Sequence, residues 1–356
     1  MEKNSKIYVA GHTGLVGSAL MRYFKANGYT NIITRSRFSL DLTRQVEVER
    51  FFKDNKPEYV ILAAAYVGGV WANMTYGGKF AYENLMIQCN VIHNAYLSGV
   101  KKLLQLGSSC IYPRNAPQPI REEHLLSSPM ELTNISYAVA KIAGIKMCEG
   151  YNHQYGTNFI SIMPTNLYGI NDNYNLDTSH LFPAFLRKIH LAKCLHEGDY
   201  NAIKKDFSSR LLNNDAKMSS DFIDFMDSTN SFIDAELGRM GITRDSITFW
   251  GSGTPKREFL SSEDMAEASV FAMNNIDFKD IGHHLNIGTG TDITLIDLAQ
   301  LMSGIIGFKG EILWDNDHPD GTPAKRLDVS KMTSFGWKYK TSIEEGIKKT
   351  YKTYLK

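Results

Sequence analysis

Apolar residues in the first half of the chain fall into short, nearly unbroken runs separated by longer stretches where they recur every three or four positions. The short runs are Lys6–Ala10, Asn31–Thr34, Tyr59–Ala63, Lys102–Leu106 and Asn158–Met163. The longer stretches lie near Leu15–Asn27, Arg44–Lys53, Phe80–Ser98 and Ser136–Tyr155. A strand that is apolar throughout, rather than at alternate residues, is covered on both faces. The alternation therefore predicts a parallel sheet with helices packed on each side. The expected class is α/β, a doubly wound Rossmann-type sheet that takes its ligand at the carboxyl ends of the strands.

After Pro164 the pattern loosens, and Tyr168–Asn173 is rich in turn formers. A helix is expected from about Ser179 to Lys193, a strand at Ile247–Trp250 and a helix at Ser262–Asn275. Thr294 reads as the N-cap of a further helix, with Asp297 in its first turn. These signals divide the chain into a nucleotide-binding domain over 1–165 and a smaller substrate domain over 166–356, with segments of the second crossing back to the sheet. Residues 195–246 stand apart. They are polar, yet Phe222, Phe225, Met226, Phe232, Ile233, Leu237 and Met240 recur at roughly helical spacing, with Gly241 as a stop. A loop of this length without structure is unusual, so a helical insertion is expected, serving as surface decoration, lid or oligomer contact.

Composition narrows the class. The 356 residues are 43% hydrophobic and 22% charged, with a net charge of +1. That balance argues against nucleic acid or an anionic membrane as the main partner. The C-terminal lysines alternate with aromatics at helical spacing, as on a solvated face. Cys89, Cys110, Cys148 and Cys194 show no paired or metal-ligand spacing, which suits a reducing cytoplasm and gives no metal site. Lys3 and Lys6 precede an apolar stretch that glycines interrupt at once, so no signal peptide is expected. The apolar run Tyr59–Val70 is too short to span a bilayer.

The first run leads into Gly11-His12-Thr13-Gly14-Leu15-Val16-Gly17. Glycines at this spacing, between a strand and a helix, let backbone approach a pyrophosphate that the helix N-terminus stabilises. At the end of the second run, Arg35 and Arg37 occupy the place where an acidic residue would hold the ribose of NAD; they favour the 2′-phosphate of NADP(H). Asp41 is assigned to the adenine edge, and Ala63, Ala64 and Ala65 are small enough for a dinucleotide to pass close by.

Tyr137 and Lys141 are four residues apart and share one helix face. A phenol ordinarily titrates near pH ~10; an adjacent ammonium and an oxidised nicotinamide ring would lower that value and ease proton transfer. Lys141 is also placed to hold the nicotinamide ribose. Leu106-Gly107-Ser108-Ser109-Cys110 closes the fourth run, and either serine can donate to a substrate carbonyl oxygen. Read alone, Cys110 is a small buried residue.

Together these blocks resemble the extended short-chain dehydrogenase/reductases, and within them the GDP-L-fucose synthase family. The matching segments are A-G-H-T-G-L-V-G-S-A, L-A-A-A-Y-V-G-G-V-W-A-N, L-G-S-S-C-I-Y-P, Y-A-V-A-K-I-A-G-I-K, M-P-T-N-L-Y-G, S-H-L-F-P-A, W-G-S-G-T-P-K-R-E-F-L, N-I-G-T-G and P-D-G-T-P. They span nearly the whole chain outside 195–246. The resemblance implies NADPH-dependent action on a GDP-4-keto sugar, chiefly GDP-4-keto-6-deoxymannose, by a cytoplasmic homodimer pairing through the Phe80–Ser98 and Ser136–Tyr155 helices. It assigns Ser108 as the carbonyl-orienting serine, Tyr137 as proton donor and Lys141 as its partner. Cys110 and His180 become the epimerisation base and acid, with His180 also near the cofactor. Pro164, Thr165, Asn166 and Leu167 belong to the nicotinamide site. Ser109, Cys110, Asn166, Lys188, Trp250, Arg257 and Asp320 are assigned to the GDP-sugar.

Three departures from the family pattern matter. Thr13 stands where the family often has a basic residue in the glycine loop, which removes one support for NADP, and Tyr66 replaces the usual lysine after the alanine triplet. The 195–246 insertion falls between Lys188 and Trp250, two expected substrate positions, and raises the alternative of a larger C5 substituent, such as a GDP-4-keto-heptose, reduced with or without epimerisation. A sugar-nucleotide 4-epimerase or 4,6-dehydratase would share the Tyr–Lys pair but keep NAD bound, against which Arg35, Arg37 and Cys110 speak. A non-catalytic nucleotide sensor would have no need of Ser108, Tyr137 and Lys141 together.

Overall fold

The computed structural model describes residues 1–211, 229–318 and 320–356, and the chain divides into two compact units. The first comprises Met1–Asp172, Arg257–Asp292 and Ala324–Gly346; the second comprises Asn173–Lys256, Ile293–Pro323 and Ile347–Lys356.

In the first unit, strands β1 (Ile7–Ala10), β2 (Ile32–Ile33), β3 (Tyr59–Leu62), β4 (Lys102–Leu106) and β5 (Phe159–Pro164) alternate with helices α1 (Leu15–Ala26), α2 (Gln45–Asn55), α3 (Val70–Thr75), α4 (Gly77–Leu97) and α5 (Ile135–Tyr155). A sixth strand comes from the other half of the chain. In chain order the further strands are β6 (Asn166–Tyr168), β7 (Ser246–Trp250), β8 (Lys256–Arg257), β9 (Phe259–Ser261), β10 (His284–Ile287), β11 (Ile293–Thr294), β12 (Glu311–Asp315) and β13 (Ala324–Lys325). The main sheet runs β10-β5-β4-β3-β1-β2 and every pairing is parallel. It is the expected doubly wound sheet.

Successive side chains of each strand enter opposite layers. Ile7 and Val9 pack with Leu20, Phe24, Met265 and Ala268 on one face. Tyr8 and Ala10 pack with Phe52, Val91, Ile92 and Cys148 on the other. Burying each large side chain contributes about 1.5–3 kcal/mol before entropy is counted. The strand order reverses between β1 and β3, which opens a crevice at their carboxyl ends.

The hydrophobic pattern does not predict β10. His284 and Asn286 interrupt it, yet both are buried, and each finds a partner for at least one polar atom. The Tyr112 hydroxyl donates to Asn286 Oδ1 at 2.6 Å and lies 3.0 Å from His284 Nε2. Asn286 Nδ2 donates to the Ile120 carbonyl at 2.9 Å.

In the second unit β7 pairs in parallel with β12, Ile247 opposite Ile312. Helix α6 (Leu181–Glu197) packs on α7 (Tyr200–Leu211) through a buried ion cluster. There Arg187 Nε donates to Asp206 at 2.8 Å, Arg210 lies 3.2 Å from the same carboxylate, and Tyr354 donates to it. Within 195–246 a further helix spans Asn230–Arg239, capped by the Thr229 side chain, with Ile233 and Leu237 buried and Phe232 exposed. Phe222, Phe225 and Met226 lie outside the described residues. Thr294 caps the helix Leu295–Ile306 by accepting from the Asp297 N–H.

Candidate active site

The glycine turn follows from steric necessity. Gly11 has φ +82°, and a Cβ there would lie 2.7 Å from the Ala64 backbone. A Cβ on Gly17 would meet the Gly11 carbonyl oxygen at 2.0 Å. Side chains at either position would force the turn away from β3 and α1 away from the turn. Thr13 is exposed in this turn, Gly14 caps α1, and Leu15 and Val16 begin that helix. No acidic residue stands in its first turn to compete with a phosphate. Ala63 to Ala65 line the facing edge after β3, where Ala63 N–H donates to Ala10 at 3.0 Å. The cradle therefore fits a dinucleotide.

Arg35 and Arg37 are both exposed just beyond β2. The Arg35 guanidinium sits over the Phe51 ring at 5.5 Å and donates to the Thr34 carbonyl at 2.8 Å. Arg37 lies 3.2 Å from Glu83. Asp41 accepts from the Thr43 N–H and hydroxyl at 3.0 and 2.8 Å. Burial opposes its charge, but these bonds and the Arg37 and Arg44 charges hold its carboxyl below the usual range.

At the end of β4 the chain turns through Gly107 into a short 3-10 turn, Ser109–Ile111. Ser108 caps that turn: its hydroxyl accepts from the Cys110 N–H at 3.2 Å. The Asn134 side chain donates to the Cys110 carbonyl at 3.1 Å, so backbone on both sides of the thiol is fixed. Helix α5 supplies the partners. Tyr137 is hydrogen-bonded to Ser108, and Lys141 donates to the Leu106 carbonyl at 2.8 Å. Lys141 Nζ is 5.8 Å from the Tyr137 ring centroid. The Phe80 ring meets Tyr137 edge-on at 6.4 Å, and Tyr66 meets Phe80 at 4.7 Å. Ser108, Cys110, Tyr137 and Lys141 are thus one cluster.

The electrostatics differ from the sequence expectation in one respect. Desolvation, then the Cys110 charge, raise Tyr137 above the ordinary phenol range, and the Ser108 bond offsets only part of that. Burial in turn lowers Lys141 to about 8. The phenol is a protonated donor in the free protein, ready to give its proton rather than take one. Cys110 goes the other way. Burial opposes its thiolate, but the Lys325 ammonium, the Ser108 hydroxyl and the Arg257 charge outweigh burial and hold the thiol below its ordinary range. Lys325 Nζ lies 3.6 Å from Sγ.

Pro164 ends β5; Thr165 and Asn166 both donate to the Glu258 carbonyl, at 3.2 and 2.8 Å, and Leu167 continues in β6. In the second unit, His180 is the exposed N-cap residue of α6. Lys188 donates to the Thr248 carbonyl at 3.2 Å and is pushed down to about 8 by burial. Trp250, 69% exposed, stacks on His318 at 4.4 Å. Asp320 accepts from the Ser252 N–H and hydroxyl at 2.9 and 2.6 Å.

A profile of the NAD dependent epimerase/dehydratase family matches residues 7–228 and 216–288. GDP-L-fucose synthase 1 of Arabidopsis thaliana is 45% identical over 100% of this chain and 94% of its own length. The chain belongs to the GDP-L-fucose synthase family. Among solved structures, a GDP-6-OMe-4-keto-L-xylo-heptose reductase from C. jejuni has a TM-score of 0.90 at 42% identity, covering 99% of this chain and 98% of that one. The GDP-mannoheptose C4 reductase MlghC from Campylobacter jejuni, with NADP bound, has a TM-score of 0.86 at 41% identity, each chain covered over 100%.

Two members of the cluster escaped the sequence reading of this GDP-L-fucose synthase relative. Lys325, in β13, reaches Cys110 from 215 positions away. Glu258, fully buried, accepts from the backbone N–H groups of Thr289, Gly290 and Leu327. Beneath α5, Gln88 donates to the Ala140 carbonyl at 2.9 Å and accepts from Gln105 of β4. This joins the helix bearing Tyr137 to the strand leading to Ser108. The only sequence signal was position: Glu258 follows Arg257, and Lys325 follows the P-D-G-T-P block.

Proposed function

We propose that this chain is an NADPH-dependent epimerase-reductase that converts GDP-4-keto-6-deoxymannose to GDP-L-fucose. The reading rests on one observation above all: an acidified thiol, a protonated phenol and a buried lysine meet within one turn of the β4 end. Full-length identity to GDP-L-fucose synthases supports the substrate class.

Cys110, as thiolate, takes the proton from the carbon beside the C4 ketone, and the electron pair moves onto the C4 oxygen. Ser108 and Tyr137 hydrogen-bond that oxygen. His180 returns a proton to the opposite face at C3 and at C5. When bound, NADPH supplies the hydride for C4. Tyr137 gives its proton to the resulting alkoxide, and the Lys141 ammonium stabilises the phenolate left behind. Gly11, Gly14 and Gly17 would admit the pyrophosphate, Arg35 and Arg37 the 2′-phosphate. Lys188, Trp250, Arg257 and Asp320 would hold the GDP-sugar.

The solved heptose reductases favour a second reading, C4 reduction of a GDP-4-keto-heptose. NADPH oxidation assayed on both sugars separates the two. Turnover of the 6-deoxyhexose supports the main reading, while turnover of the heptose alone replaces it. Exposed Tyr82, Val139 and Tyr155 on α4 and α5 support a homodimer through those helices, measurable by sedimentation. No described helix is long and apolar enough to cross a membrane, and we place the enzyme in the cytoplasm.

A further inference from the structure

Cys110 is surrounded by charge that its own loop does not supply. Lys325 Nζ stands 3.6 Å from Sγ, close enough for a charge-assisted contact. Arg257 adds a second positive charge, and Tyr137, a weak acid with its proton on, faces the thiol from α5. Ser108 contributes a hydroxyl.

The segment carrying Lys325 is anchored on both sides. Gln118 donates to the Ala324 carbonyl at 3.2 Å and accepts from the Arg326 N–H at 2.8 Å. Ile120 N–H donates to the Arg326 carbonyl at 2.7 Å, and Asp328 N–H to the Ile120 carbonyl at 2.8 Å. The Leu327 N–H donates to Glu258 at 2.7 Å, and the Leu327 side chain is buried against Ile111, Ile120 and Ala138. A single carboxylate thus sits next to Arg257 in sequence and two residues from Lys325 across the bond. Glu258 therefore anchors the segment that carries Lys325, through the Leu327 N–H.

We propose that Lys325 is a positioning residue for the proton-abstraction step, holding Cys110 as an oriented thiolate, with Glu258 fixing the strand it extends from. The proposal rests on the reading of Cys110 as the epimerisation base. A neutral thiol is a poor base toward carbon, so loss of the ammonium should slow enolisation far more than hydride delivery.

The test alkylates the full-length, substrate-free enzyme with iodoacetamide across pH 5–10 and quantifies the Cys110 peptide by mass spectrometry. In Lys325→Met the midpoint should rise by at least about one pH unit, cutting the rate at pH 7 about tenfold, because the thiolate fraction follows the titration. Lys325→Arg should keep the native midpoint. An unmoved midpoint in Lys325→Met, with native-like circular dichroism, overturns the proposal. So does a Lys325→Arg midpoint raised as far as that of Lys325→Met. Cys110→Ala separates the underlying reading: native deuterium exchange at C3 and C5 in that variant removes Cys110 as base, whatever the titration of the thiol shows.

Discussion

Strand β4 carries a buried lysine problem at each end, solved in opposite ways. At its start, Lys102 is buried but donates to the Ala272 and Met273 carbonyls and to Asp277, at 3.2, 3.0 and 3.2 Å. Those carbonyls end the helix Ser262–Asn275, where a cation is favoured. At the strand's other end Lys141, 3% exposed, has the Leu106 carbonyl, and among the described residues no carboxylate pairs with it. Burial lowers both ammonium groups, but Asp277 offsets part of the effect for Lys102 alone. A compensated lysine belongs to the framework. An uncompensated one is held at a cost, which the proposed reaction, with its need for a cation at this place, would account for.

Four variants test that contrast. The largest effect is on turnover. Lys141→Met and Tyr137→Phe should each lower NADPH-dependent reduction by about 10²–10⁴-fold, the range of a general acid and its support, while Lys102→Met stays near native. Next comes stability of the free protein. A shift from 10.5 to about 8 means a cost of about 3 kcal/mol for the charged, buried Lys141. Allowing for the lost Leu106 bond, Lys141→Met should stabilise by about 1–3 kcal/mol in urea unfolding at pH 7.

The pH dependence fixes the sign. Between about 8 and 10.5 the unfolded chain binds more protons at Lys141 than the folded one does. Native stability therefore rises with pH across that window, and the gain in Lys141→Met fades to nothing near its top. An equal gain at pH 7 and 10.5 would contradict the burial argument.

Lys102→Met should act oppositely, destabilising by about 1–2 kcal/mol because three acceptors lose a donor. Asp277→Asn should do least, about 0.5–1 kcal/mol, since Asp277 is half exposed and keeps company with Asn158. A loss in Lys141→Met as large as in Lys102→Met would erase the distinction between the two ends.

Much of this arrangement is readable from local pattern. The runs leading into β1, β3, β4 and β5 are apolar because both faces are covered, and Gly11 and Gly17 are demanded by contacts within a few residues. The Tyr137–Lys141 pair follows from one helical turn. What sequence pattern could not supply was partnership at long range. β10 is hidden by His284 and Asn286, polar residues whose partners lie near Tyr112 and Ile120. Lys325 and Glu258 carry no local signal, since each acts through contacts made across the fold. The direction of the Tyr137 shift was also beyond reach, because burial, not the neighbouring lysine, dominates it.

The most direct measurement is NMR of the sugar nucleotide formed in deuterated water with NADPH. The account predicts deuterium at both C3 and C5 and reduction at C4. A product reduced at C4 but carrying only protium at C3 and C5 would contradict it, leaving Cys110 without a base's work to do.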